Sequence, residues 1–230
     1  RGRWEEPLEV LRDGGFGGSA FGSRRGECLL LANLSSLESS RGRLAIAIAL
    51  GEEAAAAHDE TADPLLAAVL WRNLGLLEAD SGDHARASEH LLRALDLHGA
   101  QRDDLGCSRV WTDLAELALL TGSLHDARSA CLKAWAAAED AADRRQIAIV
   151  SGWIAVIEHL DGDERGAAQR LAETRRSLRE LAGPRVCGTF LCIEGALAAE
   201  RDERDEAADR LAEAETMLGP LHDRTASGTL

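Results

Sequence analysis

Apolar and small residues recur along this chain with a period of forty residues. One column of the repeat contains only alanine: Ala47, Ala87, Ala127, Ala167 and Ala207. Ten residues before it stands an aliphatic column: Leu37, Leu77, Leu117, Ile157 and Leu197. Five residues before it stands a turn-forming column: Gly42, Gly82, Gly122, Gly162 and Asp202. Because several independent columns share one period, we interpret the chain as an internal repeat.

Within one repeat, the pattern predicts two helices joined by a tight turn. The apolar residues of the first half have the spacing i, i+4, i+7 of one helix face: Leu70, Leu74 and Leu77. Gly82 and Asp83 then end this helix and cap the next one. Gly75 and Ala87 fall at facing positions, where small side chains let two antiparallel helices approach closely. Each repeat is therefore predicted to be a helical hairpin, and stacked hairpins bury a continuous core.

The repeat frame predicts the organisation of the whole chain. Five hairpins are expected, at about 27–63, 64–102, 103–142, 143–183 and 184–218. Residues 1–26 are expected to hold the second helix of a truncated preceding repeat and a Gly-rich joint, as in a piece of a longer protein. Gly219 and Pro220 are expected to stop the last helix and to leave 219–230 as a tail.

The second repeat, WRNLGLLEADSGDHARASEHLLRALDL, resembles a tetratricopeptide repeat (TPR). The matching residues are Trp71, Leu74, Gly75, Gly82, Asp83, Ala87, Leu91, Ala94 and Leu95. The resemblance covers about 27–218. The ordinary repeat has about 34 residues, so the longer repeat here is similar to the TPR class of kinesin light chains and bacterial signal-transduction ATPases. The resemblance implies an all-α, right-handed α-solenoid of stacked antiparallel hairpins, whose first helices form a concave groove.

Some residues depart from the usual TPR pattern or need a place in the core. Near the end of the first helix, glutamate replaces the usual aromatic residue: Glu38, Glu78 and Glu158. These carboxylates either point into solvent or pair with an arginine on a neighbouring helix. Glu194 falls on a column that is otherwise apolar, and Trp71 and Trp111 are expected in the core.

The resemblance implies that the groove binds a peptide through polar residues on the outward face of the first helices. One candidate recurs at the same position of three repeats: Asn33, Asn73 and Asp113. A carboxamide offers both the donors and the acceptor that a peptide unit needs, so an asparagine ladder would bind the backbone of an extended peptide. The other candidates lie beside or beyond this ladder: Ser36, Arg72, Arg109, Thr112, Glu116, Trp153 and His159.

Each of these candidates also has a purely structural interpretation. Arg72 and Arg109 would suit an anion clamp, because a guanidinium matches a planar carboxylate, yet helix-surface arginines are commonly solvated or paired. Trp153 would suit an aromatic anchor, or it packs against a neighbouring repeat. The asparagines would bind a ligand, or they bond to an adjacent helix.

The charge and composition of the chain argue against some classes of partner. With 40 acidic and 26 basic residues the formal net charge is −14, which argues against nucleic acid and an anionic membrane as partners. No apolar run approaches the ~18 residues of a membrane span. The five cysteines are odd in number and form no CxxC pair, so we expect no disulfide framework, no zinc site and a cytoplasmic location. The use of arginine, alanine and glycine with a single lysine indicates a GC-rich, bacterial genome.

No motif for catalysis is evident, since the chain has no P-loop, HExxH or GxSxG sequence. We therefore expect no enzymatic activity, no cofactor and no metal. The leading hypothesis is a protein-interaction scaffold that binds a peptide or partner segment in its groove, as part of a larger bacterial protein. The alternative is a ligand-sensing regulatory arm of a signal-transduction ATPase or transcription regulator. A third hypothesis is self-association through uncapped ends.

Overall fold

The computed structural model of the chain describes residues 24–58 and 63–226. These residues form ten helices: α1 (Arg24–Ser40), α2 (Leu44–His58), α3 (Pro64–Ser81), α4 (His84–Ala100), α5 (Asp104–Leu120), α6 (Leu124–Asp140), α7 (Arg144–Leu160), α8 (Glu164–Leu181), α9 (Pro184–Glu200) and α10 (Arg204–Ala226). The described residues contain no strand, and the predicted all-α class is confirmed. The predicted helix of a preceding repeat and almost all of the Gly-rich joint lie outside the described residues.

The helices pair into five hairpins, and the predicted turn column lies at their turns. Four of its members have a left-handed backbone, with φ between 73° and 90°: Gly42, Gly82, Gly122 and Gly162. Asp202 takes the same role with φ 60°, a conformation that aspartate tolerates better than most residues. Asp83 then caps α4, because its Oδ1 accepts a hydrogen bond from the backbone N–H of Arg86 at 3.2 Å.

Within a hairpin, the two helices approach closely at the predicted small positions. A Cβ placed on Gly75 would lie 2.9 Å from Leu91 Cγ and 3.1 Å from the carbonyl oxygen of Ala87. In the first hairpin the equivalent residue is Ser35, whose hydroxyl donates to the carbonyl of Ala47 at 2.7 Å. Both observations explain why this column excludes large side chains.

The hairpins belong to two compact units that divide between Arg102 and Asp103. In unit 1, α2 packs on α3, and the core includes Cys28, Leu31 and Leu70. In unit 2, α6 packs on α7 and α8 on α9. Its buried residues include Val150 and Phe190. None of the described helices is both long and apolar enough to cross a membrane.

The last helix differs from the prediction. Helix α10 passes through Gly219 and Pro220 and ends at Ala226, so the expected stop at this dipeptide is wrong. A proline disfavours helical conformation in the preceding residue because its ring clashes with that residue's backbone N–H and Cβ. Gly219 has no Cβ, which removes one of these two clashes.

Candidate functional site

In unit 1, the first helices of two consecutive hairpins lie side by side and leave one face uncovered. Helices α1 and α3 are in contact, and each leaves exposed or half-buried a stripe of side chains spaced i, i+3, i+4, i+7. The stripe of α1 contains Leu29, Ala32, Asn33 and Ser36. The stripe of α3 contains Val69, Arg72, Asn73 and Leu76. We call these two stripes, with Arg25 and Leu65 at their amino-terminal ends, the first-helix face of unit 1.

Two carboxamides occupy equivalent positions of this face. Asn33 is exposed and Asn73 is half-buried. Within the described part of the chain, neither side chain has a hydrogen-bond partner. The alternative in which these asparagines bond to an adjacent helix is therefore not observed among those residues. Their donors and acceptors remain available to a molecule that lies across α1 and α3.

The neighbours of these carboxamides are engaged to different degrees. The hydroxyl of Ser36 donates to the carbonyl of Ala32 at 3.1 Å, one turn back on its own helix. Arg25 forms an ion pair with Asp63, the residue that caps α3 by accepting the backbone N–H of Leu66 at 3.1 Å. Arg72 is half-buried and also interacts within the chain.

Unit 2 places two of the predicted site residues in the interior. Thr112 and Asp113 are only 4% and 6% exposed, so the expectation that they line an open ligand site is wrong. The Thr112 hydroxyl donates to the carbonyl of Ser108 at 2.9 Å and accepts from Gln146 Nε2 at 3.0 Å. The physical reason is that α7 packs against α5 here and covers this part of the helix.

Two further candidates on α5 are accessible to different extents. Arg109 is exposed, and its role in an anion clamp stays a prediction. Glu116 is half-buried and interacts within the chain. Its charge also acts on Cys131: burial first, and the Glu116 carboxylate second, raise the pKa of the Cys131 thiol to about 12. That thiol is therefore a buried group that favours its protonated form.

The remaining candidates, Trp153 and His159, pack against the next hairpin. Trp153 is half-buried and meets the ring of Phe190 edge to face, with ring centroids 5.8 Å apart. The side chain of His159 is 9% exposed, and its Nε2 lies 2.9 Å from Glu200 Oε2. The structural interpretation of Trp153 therefore has direct support, and His159 is not an open ligand group.

The glutamates near the ends of the first helices form the ion pairs that the sequence left undecided. Glu78 is fully buried, with Oε1 3.0 Å from Arg86 Nη2 and Oε2 2.6 Å from His90 Nδ1. In the same way, Glu38 pairs with arginines at 41 and 43, and Glu158 binds Arg170 through two guanidinium nitrogens. Each pair lies within one hairpin, so we assign these carboxylates to the structure of the repeat.

The two tryptophans expected in the core are only half-buried. The second helix of each hairpin places a cation over the ring: Arg93 is 3.9 Å from the ring centroid of Trp71, and Lys133 is 4.2 Å from that of Trp111. Such a contact stabilises by about 0.5–1 kcal/mol where it is exposed. The sequence could have indicated these cation–ring contacts, because the two cations are one repeat of forty residues apart, as are the two tryptophans.

Glu194 is held by arginines of two helices that pack against α9. Arg175 of α8 pairs with it, and Nε of Arg210 in α10 lies 3.2 Å from its Oε2. Burial nevertheless raises the pKa of Glu194 above its usual range, and the two positive charges only partly oppose that shift. The described residues contain no group of three or more His, Cys, Asp or Glu side chains that could hold a metal ion.

The sequence matches no protein-family model and no curated protein. Several solved structures do resemble the chain. BtubC (BKLC) from P. vanneervenii superposes with a TM-score of 0.68 at 16% identity, over 94% of this chain and 89% of that one. The Rap conjugation gene regulator of plasmid pLS20, solved with a Phr peptide, gives a TM-score of 0.76 at 14% identity, over 91% of this chain and 59% of that one.

A third structure has a sensor domain of the expected class. It is a STAND signal-transduction ATPase with a tetratricopeptide repeat sensor from Pyrococcus horikoshii, with a TM-score of 0.62 at 13% identity. It covers 96% of this chain, which spans only 35% of that ATPase. At such low identities these likenesses show the fold alone. The chain has a TPR-like helical-repeat fold, and the predicted solenoid class is confirmed.

Proposed function

We propose that this chain is a non-catalytic protein-interaction repeat that binds an extended segment of a partner protein on the first-helix face of unit 1. One observation carries the proposal: Asn33 and Asn73 stand at equivalent positions of adjacent helices, without side-chain partners among the described residues. A carboxamide can donate to a peptide carbonyl and accept from a peptide N–H at the same time. Two such groups in register suit a backbone that crosses α1 and α3.

The surroundings of the two asparagines support this proposal. The exposed residues Leu29 and Val69 lie one helical turn before Asn33 and Asn73, and exposed Leu65 lies one turn before Val69. Side chains of a bound segment would therefore find apolar contacts along the same stripes as the carboxamides. The same fold carries a bound peptide in another protein, the Rap regulator that was solved with a Phr peptide. The fold is thus compatible with peptide capture, and the chemistry of this chain's own residues suggests where capture occurs.

The test begins with peptides selected from a random phage-displayed library on the intact chain. The double variant Asn33→Ala/Asn73→Ala is expected to bind the selected peptides about tenfold more weakly, because each lost hydrogen bond contributes about 0.5–1.5 kcal/mol. Gln169→Ala is the matched control, since it removes an exposed carboxamide from α8 in unit 2. Unchanged binding by the double variant, with unchanged thermal unfolding, would end the proposal.

A regulatory arm that senses a small ligand is the second candidate. It is favoured by the likeness to the ATPase with a tetratricopeptide repeat sensor, which covers nearly all of this chain. A ligand that binds only the folded state raises the unfolding temperature in a concentration-dependent way. A rise with metabolites of a small-molecule library, and none with the selected peptides, would favour this candidate over peptide binding.

A further inference from the structure

The first-helix face of unit 1 has a chemistry of its own, which defines the kind of segment that fits it. Resting on the proposed function, we infer that the bound segment carries an aliphatic side chain close to an aspartate or glutamate. The aliphatic side chain packs on Leu29, Leu65 and Val69. The carboxylate binds Arg72.

The apolar part of the face is a patch of exposed aliphatic residues. Leu29, Leu65 and Val69 are 42%, 43% and 44% exposed. The described part of the chain has nine exposed large apolar side chains, and these are three of them. Leu65 and Val69 are one turn apart on α3, and Leu29 holds on α1 the repeat position that Val69 holds on α3. A side chain that covers them gains about 25 cal/mol for each Å² of apolar surface removed from water.

The charged side chains of the two stripes differ in sign from the chain as a whole. The formal net charge of the protein is −14. From Arg25 to Leu76, however, the charged members of the two stripes are arginines. Arg25 is paired with Asp63 at the edge of the face, whereas Arg72, which also interacts within the chain, stands on α3 between Val69 and Asn73. Asp80, one turn beyond Leu76 on α3, is the first carboxylate along that stripe.

This arrangement favours an acidic segment over a basic one at this position. Arg72 presents five N–H donors in a planar fork, which can bind a carboxylate in addition to its contacts within the chain. The position equivalent to Arg72 on α1 is Ala32, which carries no charge. Because the protein has a formal net charge of −14, an acidic side chain of the segment is favoured where it meets a cation, and Arg72 is the cation next to Asn73.

The experiment measures side-chain preference with defined peptides. The probes are short Ser/Ala peptides with a central leucine, in which glutamate, glutamine or lysine is placed at each other position in turn. On the intact chain, we expect glutamate to bind about tenfold more tightly than glutamine at one or two positions, and lysine to bind worst. That preference is expected to fade between about 0.1 M and 1 M salt, where the Debye length falls from ~10 Å to ~3 Å.

Three variants assign the preference to residues. Arg72→Glu is expected to reverse the order, so that lysine binds best at the same positions, and the conservative Arg72→Gln to abolish it. Val69→Asp is expected to remove the advantage of a central leucine over serine. Arg176→Glu makes the same charge change on α8 in unit 2, at an exposed position, and is expected to change nothing. Circular dichroism melts of all four establish that each variant is folded.

The outcomes separate this inference from the proposed function. A glutamate preference that persists in both Arg72 variants, or the absence of any such preference in the intact chain, overturns the inference. Binding that still depends on Asn33 and Asn73 would then leave the proposed function standing. Peptide binding that ignores both asparagines ends the proposed function, whatever the charge preference.

Discussion

Gly152 in α7 gives the sharpest stability prediction, because its neighbour leaves no space for a side chain. A Cβ built on Gly152 would lie 2.6 Å from Cζ and 2.7 Å from Cδ1 of Phe190, which belongs to α9 of the next hairpin. Ordinary carbon–carbon contacts are about 3.5–4.0 Å. The new Cβ would overlap Cε1 of the same ring most closely of all. Phe190 is itself buried, so the ring has to move by more than about 1 Å within a packed interior before Gly152→Ala can be accommodated.

Two opposing effects determine the size of the change. Alanine is favoured over glycine in a helix interior by about 1 kcal/mol, which would stabilise the variant. Inserting a methyl group into a filled core costs about 1–3 kcal/mol. Since several atoms of a buried aromatic ring would overlap the new methyl, we take the upper part of that range. We expect Gly152→Ala to reduce the free energy of unfolding by about 1–2 kcal/mol.

Urea unfolding followed by circular dichroism measures this change, and two further variants identify its cause. Gly99→Ala places a methyl on an exposed glycine near the end of α4, with nothing within 4 Å, so it is expected to be neutral or to stabilise by up to about 1 kcal/mol. Phe190→Leu removes the obstructing ring, and Gly152→Ala made in that background should cost much less. If Gly152→Ala had the same free energy of unfolding as Gly99→Ala, the packing of α9 against α7 described above would be refuted.

Two other predictions concern ionisable groups of unit 2. Burial raises the pKa of the Cys131 thiol from 9.0 to about 12, so near pH 8 its thiolate is roughly a thousandfold scarcer than that of an ordinary cysteine. Alkylation of the folded chain, followed by mass spectrometry, should therefore leave Cys131 unmodified. Rapid labelling of Cys131 in the folded chain would contradict this. The raised pKa of Glu194 means that the folded state favours the protonated carboxyl, relative to the ordinary value of 4.5 in the unfolded chain. The contribution of Glu194 to stability is therefore full below about pH 4.5 and is lost as the pH rises through the raised pKa. Compared with Glu194→Gln, which cannot ionise, the wild-type advantage in unfolding free energy should shrink as the pH rises above about 4.5. An advantage that grows with pH would show that the pKa of Glu194 is lowered instead.

The helices and turns of this protein were predictable from the sequence, because they depend on residues close together in the chain. The turn column predicted that the first helices end at Gly42 and Gly82, and the structure has turns there with left-handed backbone, φ 73° and 86°. The small residue at Gly75 predicted a close helix contact, which the structure places at Leu91 and Ala87. Such features follow from helix periodicity and from the few residues that tolerate special backbone conformations.

Exposure of the candidate ligand residues was decided by packing between hairpins. Asn33, Asn73 and Asp113 share one position of the repeat, so the helix period places all three on the same face. In the structure the first is exposed, the second half-buried and the third buried. The period tells which side of a helix a residue occupies, but burial depends on what the next hairpin lays over that side, as α7 does over α5 beside Thr112.

The buried carboxylates follow the same principle. Sequence alone left Glu78 either solvated or paired, because an isolated helix allows both states. Only the tertiary structure brings Arg86 and His90 of the second helix within 3.0 Å and 2.6 Å of it. A charge can be withdrawn from water only when a partner compensates it, and that partner comes from another helix. The sequence thus determined the repeat and its hairpins, whereas the tertiary structure decided which polar groups those hairpins bury and which they leave for a ligand.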